Sequence, residues 1–350
     1  MFNRKWYLMA ATLVVVLSLV SCSRRLRGDN TSSRLSRLDT IKSRGRLVCG
    51  VSGQLPGFSF VKANGEYAGL DVDVCRAIAA AIFDDPKKVE YRNLNAKERF
   101  TAVQTGEVDI LSRNTTWTFS RDTSTGLEFA PVVFYDGQGI MVRKNSNIKS
   151  LEDLKGKSVC TQTGTTNEQN LADQMRQRGI SYKPIVFEDV NTVFTTYEQG
   201  RCEGVTSDRS QLVSRRTTLS KPDEHTVLDL LISKEPLAPA VKNGDAKWFD
   251  VVKWTINSLI NAEELGVNSQ NVNQLANSNN AEIKRLLGTE GDLGKGAGLS
   301  NDFVKRIITH VGNYSEVYDR NLGKNSELKL ERGKNKLWNQ GGILYAPPYR

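Results

Sequence analysis

Thirteen consecutive positions, 8–20, are apolar but for Thr12 and Ser18, and Arg4 and Lys5 stand just ahead of them. That length fits the core of an export signal and falls short of the roughly 20 residues a membrane span needs. Residues 23–40 are Ser/Arg-rich with no apolar period and read as a solvated linker, whose charge would also suit an anionic lipid surface. The pattern then changes. Residues 46–51 hold a short apolar run, the mark of a buried strand, and end at the loop 52–57. Over 71–83, Val74, Ile78 and Ile82 recur at helical spacing, with Cys75 and Ala79 widening the face. Asp71 and Asp73 suit that helix's first turn. A strand at 88–91, a helix at 96–104 and a strand at 108–112 complete a βαβαβ unit, which implies a parallel sheet flanked by helices.

Residues 155–161 begin a second unit on the same plan, with helices at 166–178, 190–199 and 208–216 and strands at 183–187 and 204–207. The units join through 132–143, and a strand-like stretch at 227–240, carrying Pro236 and Pro239, leaves the second one. Helices are predicted at 247–264, 267–276 and 281–287, then a flexible glycine-rich loop at 288–298, a helix at 301–318 and an aromatic tail that docks on the body. The expected fold is α/β and two-lobed, each lobe a sheet flanked by helices, with two crossings forming a hinge over a cleft. The boundaries read as a signal peptide at 1–21, a basic linker at 22–40, lobe one at 41–134 and 236–287, lobe two at 135–235, and a C-terminal extension at 288–350 packed on the body. In such sheets ligands sit at the carboxyl ends of the strands.

Charge alters the picture less than its sum suggests. The 350 residues carry a formal +9, but residues 1–46 account for +8 of it, so the body is nearly neutral and a nucleic-acid partner is not expected. With only His225 and His310, and no CxxC spacing, neither a metal site nor a cofactor is expected. Leu19-Val-Ser-Cys22 resembles a bacterial lipobox, which would make Cys22 a lipid attachment site; plain secretion with an incidental cysteine is the alternative. The other cysteines allow three connectivities. Cys49 and Cys75 fall in one lobe and Cys160 and Cys202 in the other, and bridges across the lobes would lock them. Pairing within each lobe is therefore expected, reduced thiols being the alternative.

No GxSxG or HExxH occurs, and 288–298 fails the phosphate-loop pattern. What the expected cleft offers is binding chemistry. Residues 113–121 are dense in donors, and Arg121 can grip a carboxylate in bidentate fashion, unless it serves a structural ion pair. Residues 162–168 run from a strand end into a helix, where hydroxyls and free N–H groups favour an anion; a simple N-cap by Thr165 is compatible. Asp208, at another strand end, can receive an ammonium or cap the next helix.

Residues 38–287 resemble the type II periplasmic solute-binding proteins of polar amino-acid ABC importers. The matching stretches are 38–51, Gly69-Leu-Asp-Val-Asp-Val74, Thr116-Trp-Thr-Phe-Ser-Arg121, Glu128-Phe-Ala-Pro131, Gly164-Thr-Thr-Asn-Glu168 and Ser207-Asp208. The tail 341–350 is similar to that of the general L-amino-acid-binding branch. The resemblance implies that Arg121 binds the ligand carboxylate, that Asn114 and Thr116 help hold carboxylate and amino group, that Thr165 and Thr166 donate to the carboxylate and that Asp208 accepts the ammonium. It places Phe58 near a first-loop aromatic that covers the ligand. It matches Arg99 to an arginine reaching a side-chain carboxylate in acidic-amino-acid binders, with a structural role as the alternative. Loop 52–58 has no acid, against a site tuned only to Arg or Lys. The expectation is a monomeric, non-enzymatic periplasmic protein, tethered if Cys22 is lipidated, that captures polar, acidic and neutral L-amino acids with broad specificity by lobe closure and delivers them to membrane permease subunits. An exported cyclic amino-acid dehydratase on the same fold is the alternative, and a sensory domain is a third class.

Overall fold

A computed structural model describes residues 36–350. The signal-peptide and Cys22 readings, and the linker up to residue 35, lie outside the described residues. The last part of the linker reading is corrected. Ser36 caps helix α1 (Arg37–Arg44), and Leu38 and Ile41 are fully buried. Two apolar residues among arginines make a faint period, yet Arg37 and Arg44 both donate to the buried Asp109 carboxylate and pin the helix.

The chain continues through β1 (Leu47–Val51), a meander of β2 (Gln54–Leu55), β3 (Ser59–Val61) and β4 (Tyr67–Ala68), then α2 (Leu70–Phe83), β5 (Val89–Asn93), α3 (Arg99–Thr105), β6 (Ile110–Leu111), α4 (Phe119–Ser124) and β7 (Leu127–Phe129). Strand β8 (Phe134–Asp136) crosses to the second unit: β9 (Gln138–Arg143), β10 (Ser158–Gln162), α5 (Thr166–Gln177), β11 (Lys183–Phe187), α6 (Val190–Glu198), β12 (Gly204–Asp208), α7 (Arg209–Arg216) and β13 (His225–Val227). The return crossing is β14 (Glu235–Leu237), leading to β15 (Ala240–Lys242) and α8 (Ala246–Glu264).

The lobe-one sheet has the order β5-β1-β6-β15-β7, and the lobe-two sheet β11-β10-β12-β9-β13. The expected parallel pairing holds at the centre of each, where β1 lies between β5 and β6, and β10 between β11 and β12. The edges differ: β9 and β15 run antiparallel to their neighbours because each enters from a crossing rather than from a helix, and β13, which follows α7, pairs antiparallel with β9. The crossings themselves pair as an antiparallel ribbon, Glu235 opposite Asp136 and Leu237 opposite Phe134.

Helix α2 is apolar almost all round because it packs on β1 and, on its other side, on the C-terminal extension. That extension contains α9 (Val272–Leu275), α10 (Ala281–Leu286), α11 (Leu293–Gly296), α12 (Phe303–Val311) and α13 (Tyr314–Asn321). Three expectations change here. The helix expected over 267–276 shrinks to one turn. The loop at 288–298 holds α11, and Gly294 packs so closely on Ser300 that a Cβ would lie 2.2 Å from its carbonyl oxygen. The helix expected over 301–318 breaks at Gly312, which takes φ 85°; Asn313 then restarts it with a capping box closed by Glu316. Buried Asp73 accepts from Arg320 and Asn321, fastening α13 to α2. Asn335 exchanges hydrogen bonds with both backbone groups of Tyr135, and Tyr314 Oη donates to Val133 O (2.6 Å), so the extension also braces the outward crossing. The tail ends on α8, where Tyr349 Oη meets Ser258 Oγ at 2.6 Å and Asn261 donates to Pro347 O.

Both disulfides stay within a lobe, Cys49–Cys75 joining β1 to α2 and Cys160–Cys202 joining β10 to the turn before β12. Cys160–Cys202 spans 42 residues, and constraining such a loop in the unfolded chain stabilises by about 2–4 kcal/mol. The double variant Cys160→Ser/Cys202→Ser is expected to lose that amount in urea denaturation; an unchanged midpoint would contradict the assignment.

Candidate ligand-binding site

The polar residues singled out from sequence converge where the two lobes meet, at the carboxyl ends of β6, β10 and β12. On lobe one, the chain turns sharply after β6. Asn114 sits at φ 30°, and its N–H donates to the buried Asp71 carboxylate (3.0 Å), so the first turn of α2 fixes the loop. The loop then pairs with the return crossing: Trp117 N donates to Pro236 O (2.8 Å) and Ala238 N to Thr115 O (3.0 Å). Arg121, in α4, donates from one terminal nitrogen to Thr116 O (2.9 Å) and lies 5.2 Å from the Phe100 ring centroid. Arg99 lies against the same ring at 4.8 Å, a cation–π contact for each guanidinium. Arg99 donates to Thr115 Oγ1 (3.3 Å), while its buried Nε finds no partner among the described residues.

On lobe two, Asp208 stands at the start of α7 but its side chain makes no capping bond. It turns into the seam, where it accepts from Asn167 Nδ2 (2.8 Å) and, across the lobes, from Asn114 Nδ2 (3.5 Å). Thr166 Oγ1 lies 3.4 Å from Thr116 Oγ1, a second cross-lobe approach, and Lys97 pairs with Glu188 at 2.5 Å as a third. A cavity of about 150 Å³ adjoins the seam, lined from lobe one by Ser52, Gln54, Asn95 and Arg113 and from lobe two by Gln162 and Asp189. Arg113 is 5% exposed and uses its Nε on Leu94 O (2.8 Å).

Two expectations need correcting. Phe58 is 1% exposed and packs edge-on to Phe134 at 5.3 Å within the lobe-one core; the loop 52–57 folds back as a β-meander and tucks that ring inward, so it does not cover a ligand. The Thr165 hydroxyl is consumed by capping, donating to Gln162 O (2.7 Å) and accepting from Glu168 N (3.2 Å), so it has no proton left for a ligand. Arg121, Asp208, Asn114, Thr116, Thr166 and Arg99 are brought together. Two acids at the seam, Asp136 and Glu235, belong to no motif in the sequence. Glu235, fully buried on β14, accepts from Thr116 Oγ1 (2.5 Å), Thr166 Oγ1 (2.8 Å) and Asn170 Nδ2 (2.8 Å). The signal was available, a lone acid ahead of Pro236 in an otherwise apolar crossing.

Burial sets the electrostatics. Desolvation lowers the Arg121 guanidinium from its ordinary value, opposed by the Glu235 and Asp208 carboxylates, which shows that all three share one field. Arg99 is pulled well below its ordinary value by burial and by its neighbours Arg113 and Arg121; Arg113 falls to about 10, burial again leading. On the other side, burial and then Asp136 and Glu235 push Asp208 well up, and burial raises Asp136 to about 6. Cations short of counter-charge thus face carboxylates that resist ionising, an arrangement suited to a small molecule carrying both signs.

The sequence matches the bacterial extracellular solute-binding proteins, family 3, over residues 47–271. It is 52% identical to the general L-amino acid-binding periplasmic protein AapJ of Rhizobium johnstonii over 322 residues, covering 91% of this chain and 94% of that one. It is 48% identical to the glutamate/glutamine/aspartate/asparagine-binding protein BztA of Rhodobacter capsulatus, covering 90% and 94%. Among solved structures, an ABC transporter periplasmic binding protein from Brucella ovis with glutathione bound superposes with a TM-score of 0.89 at 50% identity, covering 91% of this chain and all of that one. The chain belongs to family 3 of the bacterial extracellular solute-binding proteins.

Proposed function

We propose that this protein is the extracytoplasmic binding component of an ABC importer and that it captures L-amino acids with polar, acidic or amide side chains. The observation that carries the reading is that Arg121 and Asp208 are both buried and come from opposite lobes, on either side of a polar seam where Asn114 reaches Asp208 and Thr116 approaches Thr166. An amino acid is a zwitterion, and taking both charges out of water is costly unless each is paired. Arg121 and the first-turn N–H groups of α5 take the carboxylate; Asp208 takes the ammonium. A ligand that touches both lobes favours the closed arrangement by its differential affinity, and the closed form is what membrane permease subunits recognise. Arg99 and Arg113 add positive charge beside the seam, which favours ligands with a second carboxylate or an amide oxygen. The names of the relatives describe binding proteins, and the reading is of a binding protein rather than a dehydratase. Export, a monomeric state and a lipid tether at Cys22 belong to the same proposal.

The 150 Å³ cavity beside Arg113 favours a second reading within the same site, ligands with a longer polar side chain, and the Brucella relative carries glutathione. A thermal-shift series with L-glutamate, L-glutamine and glutathione separates the two: stabilisation by glutathione alone would favour the second.

Arg121→Ala is expected to weaken amino-acid binding by about 3–5 kcal/mol, the cost of stranding a buried charge, or about 10²–10³·⁵-fold in Kd. Calorimetry showing unchanged affinity in a folded variant would remove the site assignment. Affinity is also expected to depend on pH. Asp208 and Asp136 hold protons more firmly than ordinary carboxyls, and an ammonium binds the ionised form, so binding drives protons off. Affinity should fall as pH is lowered through the raised range in which Asp136, at about 6, and Asp208 take up protons; a constant Kd from pH 5 to 8 would contradict this.

A further inference from the structure

We infer that Ser214 and Arg215 form a latch between the lobes, separate from the ligand site, that sets how long the closed arrangement lasts and slows the release of every ligand by one common factor. The inference rests on the reading of a two-lobed protein that closes on an amino acid, and goes beyond it by naming positioning residues that never touch the ligand.

Helix α7 belongs to lobe two and has Asp208 at its start. Six and seven residues further on, about 9–10 Å along the helix axis, Ser214 and Arg215 meet lobe one. Ser214 Oγ donates to Pro56 O (2.7 Å), and one terminal nitrogen of Arg215 donates to Gln54 O (3.0 Å). Both acceptors are backbone carbonyls of the loop 52–57, so the contact depends on where the loop lies and not on its side chains. The donors are held in place from within lobe two. Ser214 is fully buried and Arg215 is 8% exposed. The other terminal nitrogen of Arg215 donates to Asn191 Oδ1 (2.6 Å), and the guanidinium lies 4.9 Å from the Phe194 ring centroid. Burial lowers this guanidinium from its ordinary value, with the Asp189 carboxylate opposing.

The receiving loop is equally fixed. Val61 N donates to Gly53 O (3.2 Å), Phe58 N to Leu55 O (3.2 Å) and Leu70 N to Gly57 O (2.9 Å). The C-terminal extension backs it: Gly57 takes φ 83°, and a Cβ there would lie 2.6 Å from Leu328 Cδ1 and 2.8 Å from Leu322 Cδ2. The latch therefore joins two preset surfaces, and separating the lobes breaks both hydrogen bonds. Because one helix carries both Asp208 and the latch, the movement that brings Asp208 to a ligand also brings Ser214 and Arg215 to their carbonyls. The Lys97–Glu188 pair also spans the lobes, but at 57% and 61% exposure it is screened by water and salt and holds little. A contact made only in the closed form scales the affinity of all ligands alike.

Calorimetry of the wild-type protein against the twenty L-amino acids identifies its ligands, and stopped-flow fluorescence gives their release rates. Arg215→Met keeps an apolar stem against Phe194 and removes the donors. It is expected to speed the release of every ligand by the same factor, about tenfold or more, the scale of a hydrogen bond to a charged group, with association changed by less than about twofold. Ser214→Ala should act in the same direction by about threefold. Arg216, also in the last turn of α7, makes no side-chain hydrogen bond among the described residues, so Arg216→Met removes an equal charge and should release ligands at the wild-type rate. A merely structural role would lower the melting temperature of ligand-free Arg215→Met and leave release unchanged. That result, an acceleration that differs among ligands by more than about threefold, or an equal acceleration in Arg216→Met would overturn the inference. Should Arg215→Met fail to fold, Ser214→Ala decides. If the wild type binds no amino acid, the functional reading fails and the latch is judged by X-ray scattering of the ligand-free protein: a larger radius of gyration in Arg215→Met than in the wild type supports it, and equal radii overturn it.

Discussion

Charge buried at a seam is the constraint around which this molecule is arranged. Arg99, Arg113 and Arg121 approach the seam from one lobe, and Asp208 from the other, with Asp136 and Glu235 on the crossings between them. None of these groups would sit out of water comfortably by itself. The protein meets part of the cost with fixed partners: Asn167 and Asn114 on Asp208, Ser210 on Asp136, and four donors on Glu235. It leaves the arginines less well matched. In the proposed reading a zwitterion supplies that shortfall and couples its capture to contact between the lobes.

The rest of the fold positions these groups. Parallel strands deliver the loop at 113–116 on lobe one, and the start of α5 and Asp208 on lobe two, to the seam, because each lies at a strand's carboxyl end. The paired crossings bring Asp136 and Glu235 to it as well. The extension reaches back to them: Asn335 holds the backbone of Tyr135, and Tyr314 holds Val133. The hinge is thus braced from outside by a segment that has no part in the site. The disulfides reinforce each lobe separately and, among the described residues, place no covalent link across the seam.

Much of this was legible in the residues. The repeated alternation of apolar strands and amphipathic helices predicts two α/β lobes, strand-end positions single out the turn 162–168 and Asp208, and the donor-rich run 113–121 singles out Arg121. Features set by tertiary context were harder to read. Helix α1 shows only Leu38 and Ile41 as apolar signal, and its anchor, Asp109, is seventy residues away. Phe58 looks like a loop aromatic until the meander folds it against Phe134. Thr165 reads as the N-cap from sequence, but only the turn of α5 shows that capping consumes its hydroxyl while Thr166 faces the seam. Glu235 carries no motif, and its importance comes from partners 65 to 119 residues distant.

The most direct test of the central claim is a crystal structure of the protein with the L-amino acid that stabilises it most. The account predicts that the ligand lies between the lobes with its α-carboxylate on the Arg121 guanidinium and its α-ammonium on the Asp208 carboxylate. A ligand bound elsewhere, or one whose two charged ends both face a single lobe, would contradict it.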